Sequence, residues 1–503
     1  MVGDAVMEND YDLLDTTSLH IPGAESMAGM RIAVVGLGKS GQAAASALCN
    51  TTQAQVSAWD SDISKLAAVT TLPLATAGSD ADAEELAEKV LRWRPDLIVP
   101  APAIRETSPL FTLAQENGVE LASEIELAWR LRACDSAGRW APWLAVTGTN
   151  GKTTTVTMAA RILGQAGLGG TPVGNIGNPA ITETIRTDND APRALALELS
   201  SFQLRTTNTA SPHAAVCLNI DDDHLEWHGN RESYWRAKAR VYHNVRRAAI
   251  YPVGDKTVQN MVDGADVVEG ARAIGYTAGV PQVGQLGVVD GIVVDRAFGA
   301  DRWNTATELY ELADLAQLAP DAEVVPEHIV ADALAATALT RALGISAQSI
   351  RAGLRSMLPG KHRIETVTVK DGVRYIDDSK ATNAHAARAS LLAQADGTVV
   401  WIAGGQPKGA HFTNLVREVE SKLRAVVVIG TEQEEWHEAL AELTIPVYYI
   451  SALATAPMQE AITWARQIAQ PGDTVLLAPA AASMDQFTSY ADRGDAFARE
   501  ARK

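Results

Sequence analysis

Short apolar runs, each ending in a polar or glycine-rich turn and followed by residues with helical spacing, recur along most of the chain. Arg31-Ile32-Ala33-Val34-Val35 is the first, and it leads through Gly36-Leu37-Gly38-Lys39-Ser40-Gly41 into an alanine-rich helix. A second run, 55–59, ends at Asp60, near the roughly 20-residue offset at which a dinucleotide-binding βαβ unit places its ribose-binding acid. A strand at 96–99 and helices near 108–117 and 123–132 complete a small α/β domain ending near Arg139. The pattern then alternates again: strand 144–147, helix 152–166, strands 194–198 and 214–219, helix 231–244 and strand 249–251. Residues 286–295 read as a hairpin around Asp290-Gly291, and a helix over 328–343 follows. Beyond Pro359 comes a second hairpin with its turn at Lys370-Asp371-Gly372, then strands at 398–403, 425–429, 447–450 and 474–479.

Strands alternating with helices call for mostly parallel sheets covered on both faces. The predicted fold class is therefore α/β, in three domains: a Rossmann-like domain over 31–139, a central P-loop-type ATPase domain over 140–357, and a Rossmann-like C-terminal domain over 358–503. Residues 1–30 are acidic and aperiodic, and are expected to be a loosely ordered extension.

Composition narrows the function classes. With 503 residues, 47% hydrophobic and 21% charged, the chain reads as an ordinary globular protein too long for one core. A net charge of −18 argues against nucleic acid or an anionic membrane surface as the partner. Cys49, Cys134 and Cys217 form no CxxC pair, so neither a disulfide framework nor a thiolate zinc site is indicated. No apolar run approaches the roughly 20 residues that cross a bilayer, and a basic-then-apolar leader is not evident. A cytoplasmic protein without membrane insertion is expected.

The chemistry concentrates at strand ends. Leu144 to Thr157 reads LAVTGTNGKTTTVT, a strand, a glycine-rich turn and a helix beginning at Lys152, so backbone N–H groups and a positive helix end converge as in a polyphosphate site. Lys152 suits the β- and γ-phosphates and Thr153 a magnesium ion. The usual loop has a glycine five residues before Gly151; here Val146 stands there and the glycine is Gly148. Glu198 ends an apolar strand in Glu198-Leu199-Ser200-Ser201-Phe202-Gln203, on the sheet edge of Lys152, where a carboxylate can bind the magnesium that accompanies ATP. The next strand runs into Asn219-Ile220-Asp221-Asp222-Asp223-His224-Leu225-Glu226, a candidate second cation site. By position alone Lys238 is one more basic residue on an amphipathic helix. In the last domain, Asp377-Asp378-Ser379-Lys380-Ala381-Thr382-Asn383, Gly404-Gly405-Gln406-Pro407-Lys408-Gly409 and Ala480 to Phe487 follow three strands; Lys380, Lys408 and Ser483 together suit a dicarboxylate.

Taken in order, TGTNGKTT, LELSSFQL, DDDHLEWHG with YWRAKARVY, and DDSKATN resemble the motifs of the Mur ligase family of peptidoglycan-synthesising enzymes, and they span all three domains. DDSKATN and APAAASMDQF resemble the branch that adds D-glutamate. The resemblance implies an ATP-driven amide ligation: a muramoyl-L-alanine carboxylate attacks the γ-phosphate to give an acyl phosphate and ADP, and the D-glutamate amine then displaces phosphate. It implies ATP and two magnesium ions as cofactors, with UDP-N-acetylmuramoyl-L-alanine and D-glutamate as the small-molecule partners. Lys152, Glu198, His224 and Lys238 would be catalytic. Thr153, Glu198, His224 and Lys238 would hold metal, with Lys238 carrying a carbamate. ATP would meet Thr149, Asn150, Gly151, Lys152, Thr153, Thr154 and Thr155 together with Arg363, Asp378 and Lys380. The UDP-muramoyl-alanine would meet Ser40, Asp60, Asn175, Ser200, Gln203 and His224, and D-glutamate Thr382, Lys408, Ser483 and Tyr490. Two departures from the family stand out: Ile329 and Asp332 occupy positions commonly held by asparagines near adenine, and Pro100-Ala101-Pro102-Ala103 replaces an S-P-G turn.

Two other classes compete on the residues alone. A nicotinamide-linked oxidoreductase rests on Gly36 to Gly41, and a non-catalytic ATP-dependent switch would keep Lys152 while dispensing with His224 and Lys238.

Overall fold

The computed structural model describes residues 23–135, 138–221, 223, 225–319, 324–358 and 360–503, without the side chains of Leu225 and Glu226. They fall into two compact units, Met1–Met357 and Leu358–Lys503. Most of the extension expected at the N-terminus, through residue 22, lies outside the described residues. Ala24–Met27 form a 3-10 turn whose Met27 is buried in the core.

The first unit opens with a five-stranded parallel sheet of β1 (Arg31–Val35), β2 (Gln55–Asp60), β3 (Thr76–Ser79), β4 (Leu97–Pro100) and β5 (Glu120–Leu121), in the order β3-β2-β1-β4-β5. β1 is apolar at every position after Arg31 because both faces are covered. Ile32 and Val34 enter one core, and Ala33 and Val35 pack with Trp59 and Ile98 in another, the two-residue alternation of a strand.

A nine-stranded sheet follows, built from β6 (Trp143–Thr147), β7 (Pro172–Gly174), β8 (Leu195–Glu198), β9 (Ala214–Cys217), β10 (Ala248–Pro252), β11 (Arg272–Tyr276), β12 (Gln285–Val289), β13 (Ile292–Asp295) and β14 (Thr307–Glu311). Its order is β14-β13-β12-β11-β10-β9-β6-β8-β7, parallel from β7 to β12 and antiparallel beyond. Leu144 and Val146 face a core shared with the helices Lys152–Gln165 and Glu327–Arg341. Trp143 and Ala145 face a core continuous with that of the first sheet. β6 lies between β8 and β9, so chain progression reverses at β6 and the loops leaving all three strands open on one crevice, the place where open α/β sheets bind ligands.

The second unit is a six-stranded sheet of β15 (Glu365–Lys370), β16 (Val373–Asp377), β17 (Val399–Gly404), β18 (Leu423–Ile429), β19 (Val447–Tyr449) and β20 (Thr474–Leu477), ordered β15-β16-β20-β17-β18-β19. The β15–β16 hairpin is antiparallel and the other strand pairs of this sheet, among the described residues, are parallel.

The α/β class read from the chain is the one observed. β3, β5, β7, β11 and β14 were not foreseen. Thr-Ala-Gly-Ser and Pro-Val-Gly, the cores of β3 and β7, carry no apolar run, and they pair because β2 and β8 present open parallel edges. The helix expected over 231–244 ends at Ala239 and tightens to a 3-10 turn, Arg240–Tyr242. Among the described residues no helix is long and apolar enough to cross a membrane.

Candidate active site

The loop leaving β6 is shaped by two glycines with positive φ. Gly148 lies at φ +147° and Gly151 at +83°, where side chains are strained, and a Cβ on Gly151 would come within 2.4 Å of Asp332 Oδ1. The first glycine falls two residues later than in the usual loop because Val146 is still inside β6, in register with Glu198 of β8. Asn219, just past β9, clamps the turn: its Oδ1 accepts the N–H groups of Thr149 at 3.1 Å and Asn150 at 2.8 Å. Thr149 Oγ1 lies 2.9 Å from the hydroxyl of Tyr234. Lys152, the first helical residue, folds its ammonium over the loop and donates to the carbonyls of Gly148 and Thr149, both at 2.8 Å. Thr153 and Thr154 are half-buried in the first turn. Thr155 is fully buried and donates its hydroxyl to Asp332 at 3.1 Å, so its side chain braces the loop from within. Ile329 belongs to the apolar core beneath.

Glu198 closes β8 with only 2% exposure. Its Oε1 accepts the side-chain amide of Asn175 at 2.8 Å, and the Glu198 carbonyl accepts the Asn175 N–H at 2.9 Å. Among the described residues its Oε2 is buried without a hydrogen-bond partner. A buried carboxylate oxygen without a donor is costly, and a divalent cation or its water satisfies it. Ser200 and Gln203 form a capping box at the start of the helix Ser201–Arg205, each side chain bonding the other residue's backbone. His224 lies outside the described residues.

Lys238 is the residue the pattern alone undervalued. It is 2% exposed, and its ammonium donates to the Gly148 carbonyl at 2.8 Å and approaches Thr147 Oγ1 at 3.5 Å. Lys152 and Lys238 therefore converge on one carbonyl oxygen. Burial, followed by the Lys152 charge, brings Lys238 from its ordinary 10.5 down to about 7, with Asp223 and Glu198 opposing. Tyr234 lies four residues earlier on the same helical face, with the Lys238 ammonium 4.9 Å from its ring centroid. That i, i+4 spacing puts both residues on one helical face without saying which loop that face meets.

In the first sheet, Asp60 is buried and holds the Gly36–Gly41 turn, accepting the N–H of Leu37 at 2.5 Å through Oδ2 and that of Asp62 at 2.9 Å through Oδ1. Ser40 is half-buried in the first turn of the helix Lys39–Thr51. Lys39 donates to the Gly177 carbonyl at 2.5 Å, tying this turn to the loop that carries Asn175.

In the second unit, Lys380 places its ammonium 3.9 Å from the ring centroid of Tyr490. The backbone N–H of Lys380 donates to the His362 carbonyl at 3.1 Å, linking it to the turn that bears half-buried Arg363. Asp378 is 6% exposed, and its carboxyl bonds the Ser390 hydroxyl. Burial raises Asp378 to about 7, opposed by that hydroxyl, the Arg363 charge and the Ile364 N–H. Its carboxyl is thus engaged within its own unit. Thr382 is half-buried just after Lys380, Lys408 is exposed at φ +53°, and Ser483 is buried. Gln406 and Ala482 pair by two backbone hydrogen bonds, so the loops bearing Lys408 and Ser483 are neighbours. Asn219 and Tyr234 stand inside runs quoted from the sequence, but their contacts with the loop, on the N–H groups of Thr149 and Asn150 and on the Thr149 hydroxyl, were not read there.

Family profiles match in two places: the Mur ligase middle domain over residues 146–289 and the Mur ligase glutamate ligase domain over 362–481. The chain is 46% identical over 480 residues to UDP-N-acetylmuramoylalanine–D-glutamate ligase of Streptomyces coelicolor, covering 94% of this chain and 98% of that one. It is 44% identical over 479 residues to the ligase of the same name from Thermobifida fusca, with the same coverage. Among solved structures, a pseudomurein peptide ligase type C from Methanothermus fervidus aligns with a TM-score of 0.54 at 18% identity, over 94% of this chain and 100% of that one. UDP-N-acetylmuramate-alanine ligase from Thermotoga maritima aligns at 0.51 and 17%, over 94% and 99%. At such identities the two structures establish a common fold.

Proposed function

The chain belongs to the Mur ligase family of ATP-dependent amide ligases, and we propose that it joins the amine of D-glutamate to the carboxyl group of UDP-N-acetylmuramoyl-L-alanine. The substrate names are those of its relatives. One arrangement carries the chemistry: two lysine side chains converging on the Gly148 carbonyl, close to a buried carboxylate with an unpartnered oxygen at the next strand end.

The substrate carboxylate oxygen bonds to the γ-phosphorus as the bond to ADP breaks. The D-glutamate amine then attacks the acyl carbon, loses a proton, and phosphate departs with that carboxylate oxygen. The first step brings two anions together, so positive charge must be preorganised around the γ-phosphate. A phosphate oxygen is a stronger acceptor than a carbonyl, so Lys152 exchanges its loop carbonyls for the β- and γ-phosphates. Thr153 and Glu198 are the proposed ligands of one magnesium ion, and His224 and Lys238 of a second; when bound, these ions neutralise the approaching anions. The buried, unpartnered oxygen of Glu198 fits a cation. An amine reacts with carbon dioxide only when unprotonated, and a Lys238 that titrates near 7 meets that condition at neutral pH. Its carbamate would turn a buried cation into an anionic metal ligand.

Asp60 and Ser40 for the uridine diphosphate, and Asn175, Ser200 and Gln203 for the muramoyl-alanine, complete the proposed acceptor site. Thr382, Lys408, Ser483 and Tyr490 are proposed for D-glutamate, Arg363, Asp378 and Lys380 for the nucleotide, and the cytoplasm as the compartment.

With ATP, magnesium and UDP-N-acetylmuramoyl-L-alanine present, phosphate release should rise sharply on adding D-glutamate and stay at background with L-glutamate. Release that ignores D-glutamate, or responds equally to both enantiomers, would refute the assignment.

A further inference from the structure

The side chain of Arg493, on the C-terminal helix Tyr490–Arg502, is fully buried among the strand-end loops of the second unit. Nε donates to Ser379 Oγ at 3.0 Å and Nη2 to the Ser379 carbonyl at 2.9 Å. Nη1 reaches the Gly404 carbonyl at 3.3 Å and the Ala481 carbonyl at 3.1 Å. Ser379 precedes Lys380, Gly404 opens the loop bearing Lys408, and Ala481 lies two residues before Ser483. The Ser379 hydroxyl also donates to the backbone carbonyl of Tyr490 at 2.8 Å. One guanidinium thus fixes the backbone of three loops, those bearing Lys380, Lys408 and Ser483, and through the Ser379 hydroxyl the start of the helix at Tyr490.

Burying a guanidinium is unfavourable unless its donors are satisfied, and a hydrophobic side chain would fill the same space more cheaply. Burial lowers Arg493 to about 10, with Asp485 and Asp377 opposing, so it stays cationic at neutral pH. The planar fork can reach three loops at fixed angles, which an ammonium cannot. Asp485 extends the frame: its Oδ2 accepts the N–H of Thr431 at 2.9 Å, in the loop after β18.

We propose that Arg493 is a positioning residue for the amino-acid pocket, holding the Lys380, Lys408 and Ser483 loops in the register that binds the dicarboxylate. This rests on the proposed ligase function. It acts through backbone placement and touches no substrate, so its loss should appear in the affinity for the substrates those loops hold, D-glutamate above all.

The test measures KM for D-glutamate, ATP and UDP-N-acetylmuramoyl-L-alanine in wild type, R493K and S379A. R493K keeps the charge without the fork and is expected to raise KM for D-glutamate about tenfold or more, with a smaller rise for ATP through the Lys380 loop and KM for UDP-N-acetylmuramoyl-L-alanine within about twofold. S379A removes one acceptor and the link to Tyr490, and should move the same constant the same way by about two- to fivefold. If R493K does not fold, S379A decides alone. Equal movement of all three constants, or no movement of the D-glutamate constant, overturns the positioning role. A wild-type protein that ignores D-glutamate overturns the ligase function instead.

Discussion

Replacing Lys152 with alanine is expected to lower kcat/KM by at least about a thousandfold while leaving the melting temperature near that of wild type. The ammonium sits over the loop on the carbonyls of Gly148 and Thr149. Lys152 itself is half-buried, so water can replace it at the Thr149 carbonyl while Lys238 still donates to the Gly148 carbonyl, and the cost to folding is about 1 kcal/mol. The cost to catalysis is much larger, because the first chemical step forces a carboxylate against a polyphosphate. Arginine should not rescue, since its planar fork cannot occupy the point where a compact ammonium meets two carbonyls. The change also removes one of the two influences that lower Lys238, so Lys238 becomes more readily protonated. Phosphate release and a thermal melt check both halves, and retained turnover would mean that the loop does not hold the triphosphate as assigned.

Lys238→Ala should abolish turnover, and a short carboxylate such as acetate should restore part of it by standing in for the carbamate. Lys238→Met should be equally inactive yet more stable than wild type. The sign follows from the direction of the shift. Lys238 titrates near 7 in the folded protein and at 10.5 ordinarily, so between those values the unfolded chain holds a proton that the folded one has released. Wild-type stability therefore climbs with pH across that window, and the penalty of burying the ammonium is fully present below about pH 7. Methionine removes that penalty, on the order of 4 kcal/mol at neutral pH, less the hydrogen bond to Gly148. The gain should shrink toward pH 10.5. A methionine variant less stable than wild type at pH 7, or with a pH-independent difference, would contradict the lowered titration of this buried amine.

Much of this was legible in the chain. The apolar runs of β1, β6, β8, β9 and β17 are buried on both faces, and continuous hydrophobicity marks such strands clearly. Glu198 was legible because a carboxylate directly after an apolar run must sit at a strand end. β3 and β7 were not, because their residues carry no preference and only the open edges of β2 and β8 make them strands. Lys238 was legible only through its family resemblance, since a lysine on a helix does not announce a face whose cost is met by a loop 90 residues away. Asn219 and Arg493 act on backbone N–H and carbonyl groups, contacts that side-chain patterns do not encode.

The path of one oxygen atom tests the central claim most directly. UDP-N-acetylmuramoyl-L-alanine with its free carboxylate labelled in both oxygens with oxygen-18 is incubated with the protein, ATP, magnesium and D-glutamate, and the released phosphate is analysed by mass. Attack of the carboxylate on the γ-phosphorus predicts one labelled oxygen in every phosphate released and none in ADP. Unlabelled phosphate, or label in a nucleotide, would contradict it.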